Sequence, residues 1–351
     1  MSTSVSAVDL FCGIGGLTHG LAKAGIPVVA GIDVDERCRY AYEKNNCSRF
    51  IQADIRNLTA AEVLKLYRNG EIRVLVGCAP CQPFSRHTQK NKDRTEDSKW
   101  RLLYFFARLV SDVSPDIVSM ENVPETAKHA VFTDFVATLE TLGYHVWHKS
   151  IYCPNYGIPQ TRTRLVLLAS KLGKIEIIPR THDRMHYPTA RDAIKTLEPI
   201  GDGEVSRGDP LHRAYRLSSL NRARIRQSRP GGTWSDWDEN LRAPCHRRDS
   251  GKSYSAVYAR MMWDAPAPTV TTQFYSFGTG RFGHPEQDRA LSLREGALLQ
   301  TFPDYYEFLE PGVPPSFKRI GMHIGNAVPV RLGVVIGESI LRHLESVRHD
   351  R

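Results

Sequence analysis

The segment "RVLVGCAPCQPFS", residues 73–85, sets two thiols three apart behind an apolar run. C-x-x-C can serve redox exchange, supply half a zinc site, or mean nothing. Structural zinc needs four ligands, usually as two close pairs. No second C-x-x-C exists, and Cys245-His246 lacks flanking spacing, so no metal is expected. A thioredoxin-type pair opens a helix directly, whereas here Pro83 and a polar loop follow. A single nucleophilic cysteine remains: Cys81, preceded by Pro80 where the apolar run ends, with Cys78 as a small buried filler. A carboxylate arrives in "SMENVPE" as Glu121, and "PQTRTRLVLL" adds Gln160, Arg162 and Arg164. Alternation puts Arg162 and Arg164 on one face of a strand. Taken singly, Glu121 reads as a helix cap and the arginines as a solvated edge. Thiol, carboxylate and guanidinium converging on one sheet edge weaken that reading.

Upstream, "DLFCGIGGLTHG" sets Gly13, Gly15 and Gly16 between an apolar run and an amphipathic stretch, Leu17 to Ala24. Glycines there permit a tight turn and close approach of a ligand to the backbone. The dinucleotide fingerprint G-x-G-x-x-G is not met, because Thr18 stands where its third glycine belongs. Asp33 ends the next apolar run, 20 residues after Gly13, where a carboxylate accepts hydrogen bonds from ribose hydroxyls. Asp54 ends a third run and would accept from an adenine amino group. Each acid alone reads equally well as a helix N-cap. Together they mark an adenosine site on the carboxyl edge of a sheet. The first turn carries no Lys or Arg for a pyrophosphate, which tilts the reading from NAD to a nucleoside cofactor such as S-adenosylmethionine.

These residues need a scaffold, and the first half of the chain supplies one. Strand-like runs at 7–11, 28–33, 50–54, 73–77 and 115–122 alternate with helical patterns at 36–45, near 59–68, and up to about 142. Trp100, Leu103, Phe106 and Val110 give helical spacing behind a capping Ser98. "YHVWHKSIY" and "RLVLLAS" read as a late strand pair. Such alternation is the signature of a parallel α/β sheet. From residue 171 to about 290 the chain is rich in Arg, His, Pro, Gly and Trp, with weak periodicity. Regular structure returns at 292–300 and in a terminal helix over 329–347. No apolar run approaches a membrane span, and no basic-then-apolar leader opens the chain. Seven cysteines, an odd number, argue for a reducing compartment, the cytoplasm, over a disulfide framework. A net charge of +9 asks for a polyanionic partner.

Taken with "LSLREGALLQTFPDYYEF" and "IGNAVP", these segments resemble the DNA (cytosine-5) methyltransferases of bacterial restriction–modification systems. The motifs "DLFCGIGG", "APCQPFS", "MENVPE" and "PQTRTRLVLL" stand in family order, and the set spans residues 9 to 329. The resemblance implies a Rossmann-like S-adenosylmethionine-dependent α/β domain, residues 1–185 and 312–351, with a smaller, irregular target-recognition domain at 186–311. It assigns Cys81 to attack at cytosine C6, Glu121 to N3, Arg164 to O2, and Arg162 to support. Phe11, Gly13, Gly15, Asp33, Val34, Asp54, Pro80 and Asn326 would line the cofactor site, so the last helix must fold back onto the first strand. The target cytosine would be extruded from the duplex.

The polar loop 82–97 fits a lid, with Ser85, Arg86 and His87 available to phosphates and the vacated base position. Residues 210–235 hold six arginines with no acid or lysine, and Arg222, Arg224, Arg226 and Arg229 are candidates for DNA contact. The resemblance further implies double-stranded DNA as partner, a cognate restriction endonuclease, and a monomer with no membrane association. The glycine turn begins by residue 13, which argues against an N-terminal regulatory domain. A tRNA cytosine-5 methyltransferase is the alternative, opposed by the long Arg-rich region. A nicotinamide oxidoreductase is opposed by the missing third glycine and the Cys81, Glu121, Arg164 set. A catalytically dead DNA-binding protein is opposed by the completeness of that set.

Overall fold

The computed structural model describes residues 4–80, 101–252, 255 and 257–349. The chain divides into two compact units. One comprises Met1–Tyr152, Thr163–Arg180 and Val328–Arg351, the other Cys153–Arg162 and Thr181–Ala327.

Apolar runs bounded by glycine and polar turns build the first unit. Its elements are β1 (Val5–Leu10), α1 (Gly16–Ala24), β2 (Val28–Asp33), α2 (Arg39–Asn45), β3 (Arg49–Gln52) and α3 (Ala60–Leu64). They continue with β4 (Ile72–Gly77), α4 (Arg101–Val113), β5 (Ile117–Asn122), α5 (Ala130–Thr141), β6 (His145–Tyr152) and β7 (Thr163–Ser170). The second unit carries α6 (Ala190–Ile194), α7 (Ser219–Gln227), α8 (Asp249–Lys252), α9 (Leu293–Leu299) and α10 (Phe317–Asn326), after which α11 (Val330–His349) returns to the first. Local signals start several helices: Thr59 with Glu62 and Ser292 with Glu295 form reciprocal capping boxes at α3 and α9.

The sheet runs β3-β2-β1-β4-β5-β7-β6. Strands β1 to β5 are parallel, and β7 runs antiparallel to both β5 and β6. All six positions of β5 are buried, the pattern of a strand covered on both faces. After β3 the chain crosses back to the other side of β1, so the strand order reverses between β1 and β4. Ligands of open α/β sheets bind in the crevice at the carboxyl ends of such a pair.

The closing helix α11 packs against α1 through glycines. A Cβ on Gly20 would fall 2.3 Å from the Val330 carbonyl oxygen and 2.6 Å from Gly333 Cα. Ser170 on β7 meets the His343 ring at 2.7 Å, and Ser339 Oγ accepts from the Ile178 amide at 3.0 Å. By length and composition the stretch Phe317–His349 passes for a membrane span, contrary to the reading of the sequence. Most of it is buried inside the protein, as in a core helix.

The second unit has little regular structure among its described residues. Its core gathers Leu217, Ile225, Trp234, Trp237, Phe277 and Ala290. Arg260 is buried and donates to the carbonyls of Ser228, Ile225, His284 and Gln287, stitching loops that share no ladder. Arg289 clamps Glu295 at 2.7 Å through both carboxylate oxygens. Burial alone would raise the Glu295 pKa; the Arg289 charge and hydrogen bonds outweigh it and hold the group at about 2.

Candidate active site

The crevice at the carboxyl end of β1 is lined by the glycine turn. Phe11, the first residue past β1, adopts φ of +59°, a left-handed conformation that costs a non-glycine residue about 1–3 kcal/mol and clusters at functional sites. Gly13 (φ +51°) and Gly15 (φ +86°) continue the turn into α1. A Cβ on Gly13 would meet nothing within 4 Å, so its demand is conformational and the space before it is open. Asp33, at the end of β2, accepts from the Gly13 amide at 2.8 Å and the Asp35 amide at 2.9 Å. Burial raises its pKa, opposed by those two amides. Val34 follows with 65% of its surface exposed, an apolar face beside a carboxylate. Asp9, buried beneath the turn, accepts from the Thr18 hydroxyl at 2.7 Å, and burial pushes its pKa to about 7. Asp54 lies past β3 and is engaged by Arg56, whose Nη2 donates to Oδ2 at 2.5 Å.

The register carries this crevice directly into the chemistry. Leu10 pairs with Gly77, Gly77 pairs with Met120, and the Cys78 amide donates to the Leu10 carbonyl at 3.4 Å. Residues just past β1, β4 and β5 are therefore neighbours. Glu121 is 3% exposed. The Cys78 thiol donates to its Oε2 at 2.7 Å. Arg164, entering on antiparallel β7, brings Nε to 2.9 Å from Oε1. That contact is an ion pair without an aligned hydrogen bond, so buried Oε1 has no hydrogen-bond partner among the described residues. Asn122 donates to the Ala79 carbonyl at 3.2 Å and accepts from Val123 N and Thr126 Oγ1, bracing the backbone before half-buried Pro80. Cys81, Ser85, Arg86 and His87, with the rest of the expected lid, lie outside the described residues.

In the second unit Arg162 is buried and donates to the carbonyls of Val270 at 3.0 Å and Gly325 at 3.4 Å. It supports the backbone beside Asn326, which is itself exposed. Gln160 Nε2 donates to Leu299 O and Gln300 Oε1, while its Oε1 accepts from the Val270 amide. Gln300 in turn donates to the carbonyls of Ile324 and Ala327. Four segments far apart in sequence are thus tied by two glutamines and one arginine.

A family model described as C-5 cytosine-specific DNA methylase matches residues 5–342. The chain belongs to that family. Type II methylase M.HgiDII of Herpetosiphon aurantiacus is 54% identical over 349 residues, covering 99% of this chain and 97% of that protein. Type II methyltransferase M.PspPI of Psychrobacter sp. is 31% identical over 99% of this chain and 82% of that protein. Among solved structures, Entamoeba histolytica methyltransferase EhMeth superposes with a TM-score of 0.70 at 15% identity, covering 98% of this chain and 99% of that one. That likeness concerns the fold alone.

For a cytosine DNA methylase the arginine cluster in and just after α7 divides in two. Arg222, Arg226 and Arg229 are exposed, the first two within 3.5 Å of Asp202 and 3.7 Å of Asp288. Arg224 departs from its expected place on a DNA-facing surface. It is buried, donates to the Leu241 carbonyl at 2.8 Å and to Asn221 at 3.0 Å, and lies over the rings of Trp237 and Tyr258. Cys78 also departs from the reading: it is a half-buried donor to Glu121, not an inert filler. The sequence singles out Gln160 but not its tethering role, nor Gln300 in "LREGALLQ". Nothing local marks Gln160 as a tether when its partners lie more than a hundred residues away.

Proposed function

We propose that this methylase transfers a methyl group from S-adenosylmethionine to C5 of a cytosine turned out of duplex DNA at one short sequence. It would work as a monomer in the cytoplasm, as the modification partner of a restriction endonuclease. The Type II designation of M.HgiDII and M.PspPI supports the restriction–modification role. The observation that carries the chemistry is Glu121: a buried carboxyl with one oxygen held by a thiol and the other beside a guanidinium, still lacking an aligned donor.

The crevice residues fit an adenosine. Gly13 leaves open space, Asp33 offers a carboxylate to ribose hydroxyls, and Val34 offers an apolar face for a ring. Phe11, Gly15, Asp54, Pro80 and Asn326 complete the proposed set; Asp54 would accept from the adenine amino group alongside its pairing with Arg56. When bound, S-adenosylmethionine supplies an electrophilic methyl group.

Cytosine C5 is a poor nucleophile until a thiolate adds at C6. Cys81 supplies that thiolate, forming the S–C6 bond and pushing electron density toward N3 and C5. A free thiol of pKa about 8.5 is only a few per cent ionised at pH 7, so base binding must be coupled to thiol deprotonation. Glu121 Oε1 would hold a proton at N3, and Arg164 would stabilise the charge growing at O2. Arg162 would support the segment carrying Asn326. Once C5 has taken the methyl group, loss of the C5 proton to water breaks the S–C6 bond and restores aromaticity. Extruding the base costs a few kcal/mol, on the order of a base step's stacking and pairing. Ser85, Arg86, His87, Arg222, Arg226 and Arg229 are proposed to bind DNA.

Base-resolution mapping of DNA from an expressing host tests the reading. It should find 5-methylcytosine confined to one short sequence context. Methylcytosine in tRNA with none in duplex DNA would favour the tRNA alternative.

A further inference from the structure

Cys78 is the half of the C-x-x-C pair with no role of its own in methyl transfer, yet its thiol lies 2.7 Å from Oε2 of Glu121. We propose that Cys78 is a positioning residue for Glu121, holding the Oε2 edge of the carboxyl so that Oε1 is presented to the cytosine ring. The proposal rests on the reading of Glu121 as the group that holds the proton at N3.

Three strands fix the thiol. The Cys78 amide is tied at 3.4 Å to the carbonyl of Leu10, the last residue of β1. The next carbonyl, that of Ala79, accepts from Asn122 at the end of β5 at 3.2 Å. Gly77, the last residue of β4, is in register with Met120. The thiol therefore reaches Glu121 from a braced backbone. On the other side Arg164 Nε stands 2.9 Å from Oε1 but is not aligned to donate. Of the two oxygens, Oε2 is the one engaged by an aligned donor, and that donor is the thiol. A carboxyl that rotates about its last torsion would exchange its oxygens; this hydrogen bond opposes the exchange.

The chemistry suits the task. A thiol is both a weak donor and a weak acceptor. It donates to Glu121 as a carboxylate and can accept from it as a carboxylic acid, so it follows the group through its protonation change. A hydroxyl does the same; a methyl group does neither. The substitutions Cys78→Ser and Cys78→Ala therefore separate the role from mere volume.

The test is a double-mutant cycle on methyl transfer to duplex DNA at saturating S-adenosylmethionine, with C78A, C78S, E121Q and the C78A/E121Q pair. C78A should lower kcat about tenfold, the scale of one hydrogen bond to a charged group, with KM for both substrates within about twofold. C78S should restore kcat to within about threefold of the parent. In the E121Q background C78A should cost nothing further, because the residue it acts through is already disabled. Thermal melts of each variant check the fold, and C78G replaces C78A if the alanine variant does not fold. Parental kcat in C78A, or an undiminished loss when C78A is added to E121Q, overturns the proposal. Parental kcat in E121Q overturns the reading of Glu121 itself, and the two failures are thereby told apart.

Discussion

Glu121 and Arg164 form a buried ion pair at the proposed site: a carboxyl 3% exposed with a guanidinium nitrogen 2.9 Å away. Removing one partner of a buried pair leaves the other charge desolvated, a cost of about 3–5 kcal/mol. Arg164→Ala should therefore lower stability in urea unfolding by about that amount, besides lowering kcat. Arg164→Lys should recover part of the stability but not the activity, since a point charge does not reproduce the guanidinium fork. The identities of these residues were legible in "MENVPE" and "PQTRTR" because residue type and strand-end position suffice to flag them. The role of Cys78 was not. Its reach to Glu121 depends on the pairing of Gly77 with Met120, a register that no local pattern reports. Arg224 shows the converse: it has the residue type of a DNA contact but is folded into an aromatic core.

Elements were legible where periodicity was strong. The strands at 28–33 and 73–77 and the closing helix fall close to their sequence limits because apolar runs between glycine and polar turns have few other options. The close approach of α1 and α11 needed the structure, since both glycines look ordinary in sequence. Gly20→Ala would place a methyl group 2.3 Å from a backbone oxygen, where neither helix can yield cheaply. Overpacking of this kind costs about 1–3 kcal/mol or more, and urea denaturation of G20A should show a loss of at least that size. The irregular stretch from 171 to 290 was opaque because its order comes from buried arginines bonded to distant carbonyls, as at Arg260. The Arg289–Glu295 clamp there has a pH signature. The Glu295 pKa is held near 2, below its ordinary value of 4.5. Its contribution, about 3 kcal/mol by linkage, is complete above pH 4.5 and is lost as pH falls toward 2. Arg289→Met should flatten that acid limb in melts recorded between those pH values. An unchanged limb would assign it to other carboxyls.

At the scale of the whole molecule the net charge of +9 meets a polyanionic substrate. Affinity for duplex DNA should fall linearly in a log–log plot against salt, as counterions are no longer released to advantage. Replacing exposed Arg222 or Arg229 with Gln should weaken binding to all sequences alike and reduce the salt slope by about one. Replacing buried Arg224 should instead lower the melting temperature. The proposed reaction, however, is covalent: one thiol, Cys81, would add to C6 of a cytosine in DNA. A duplex carrying the mapped sequence with 5-fluorocytosine at the target position lacks the C5 proton whose loss releases the enzyme. Incubated with S-adenosylmethionine and run under denaturing conditions, the parent protein and Cys78→Ser should each remain attached to the DNA, and Cys81→Ser should not. No attached species from the parent protein, or an adduct that maps to Cys78, would contradict the account.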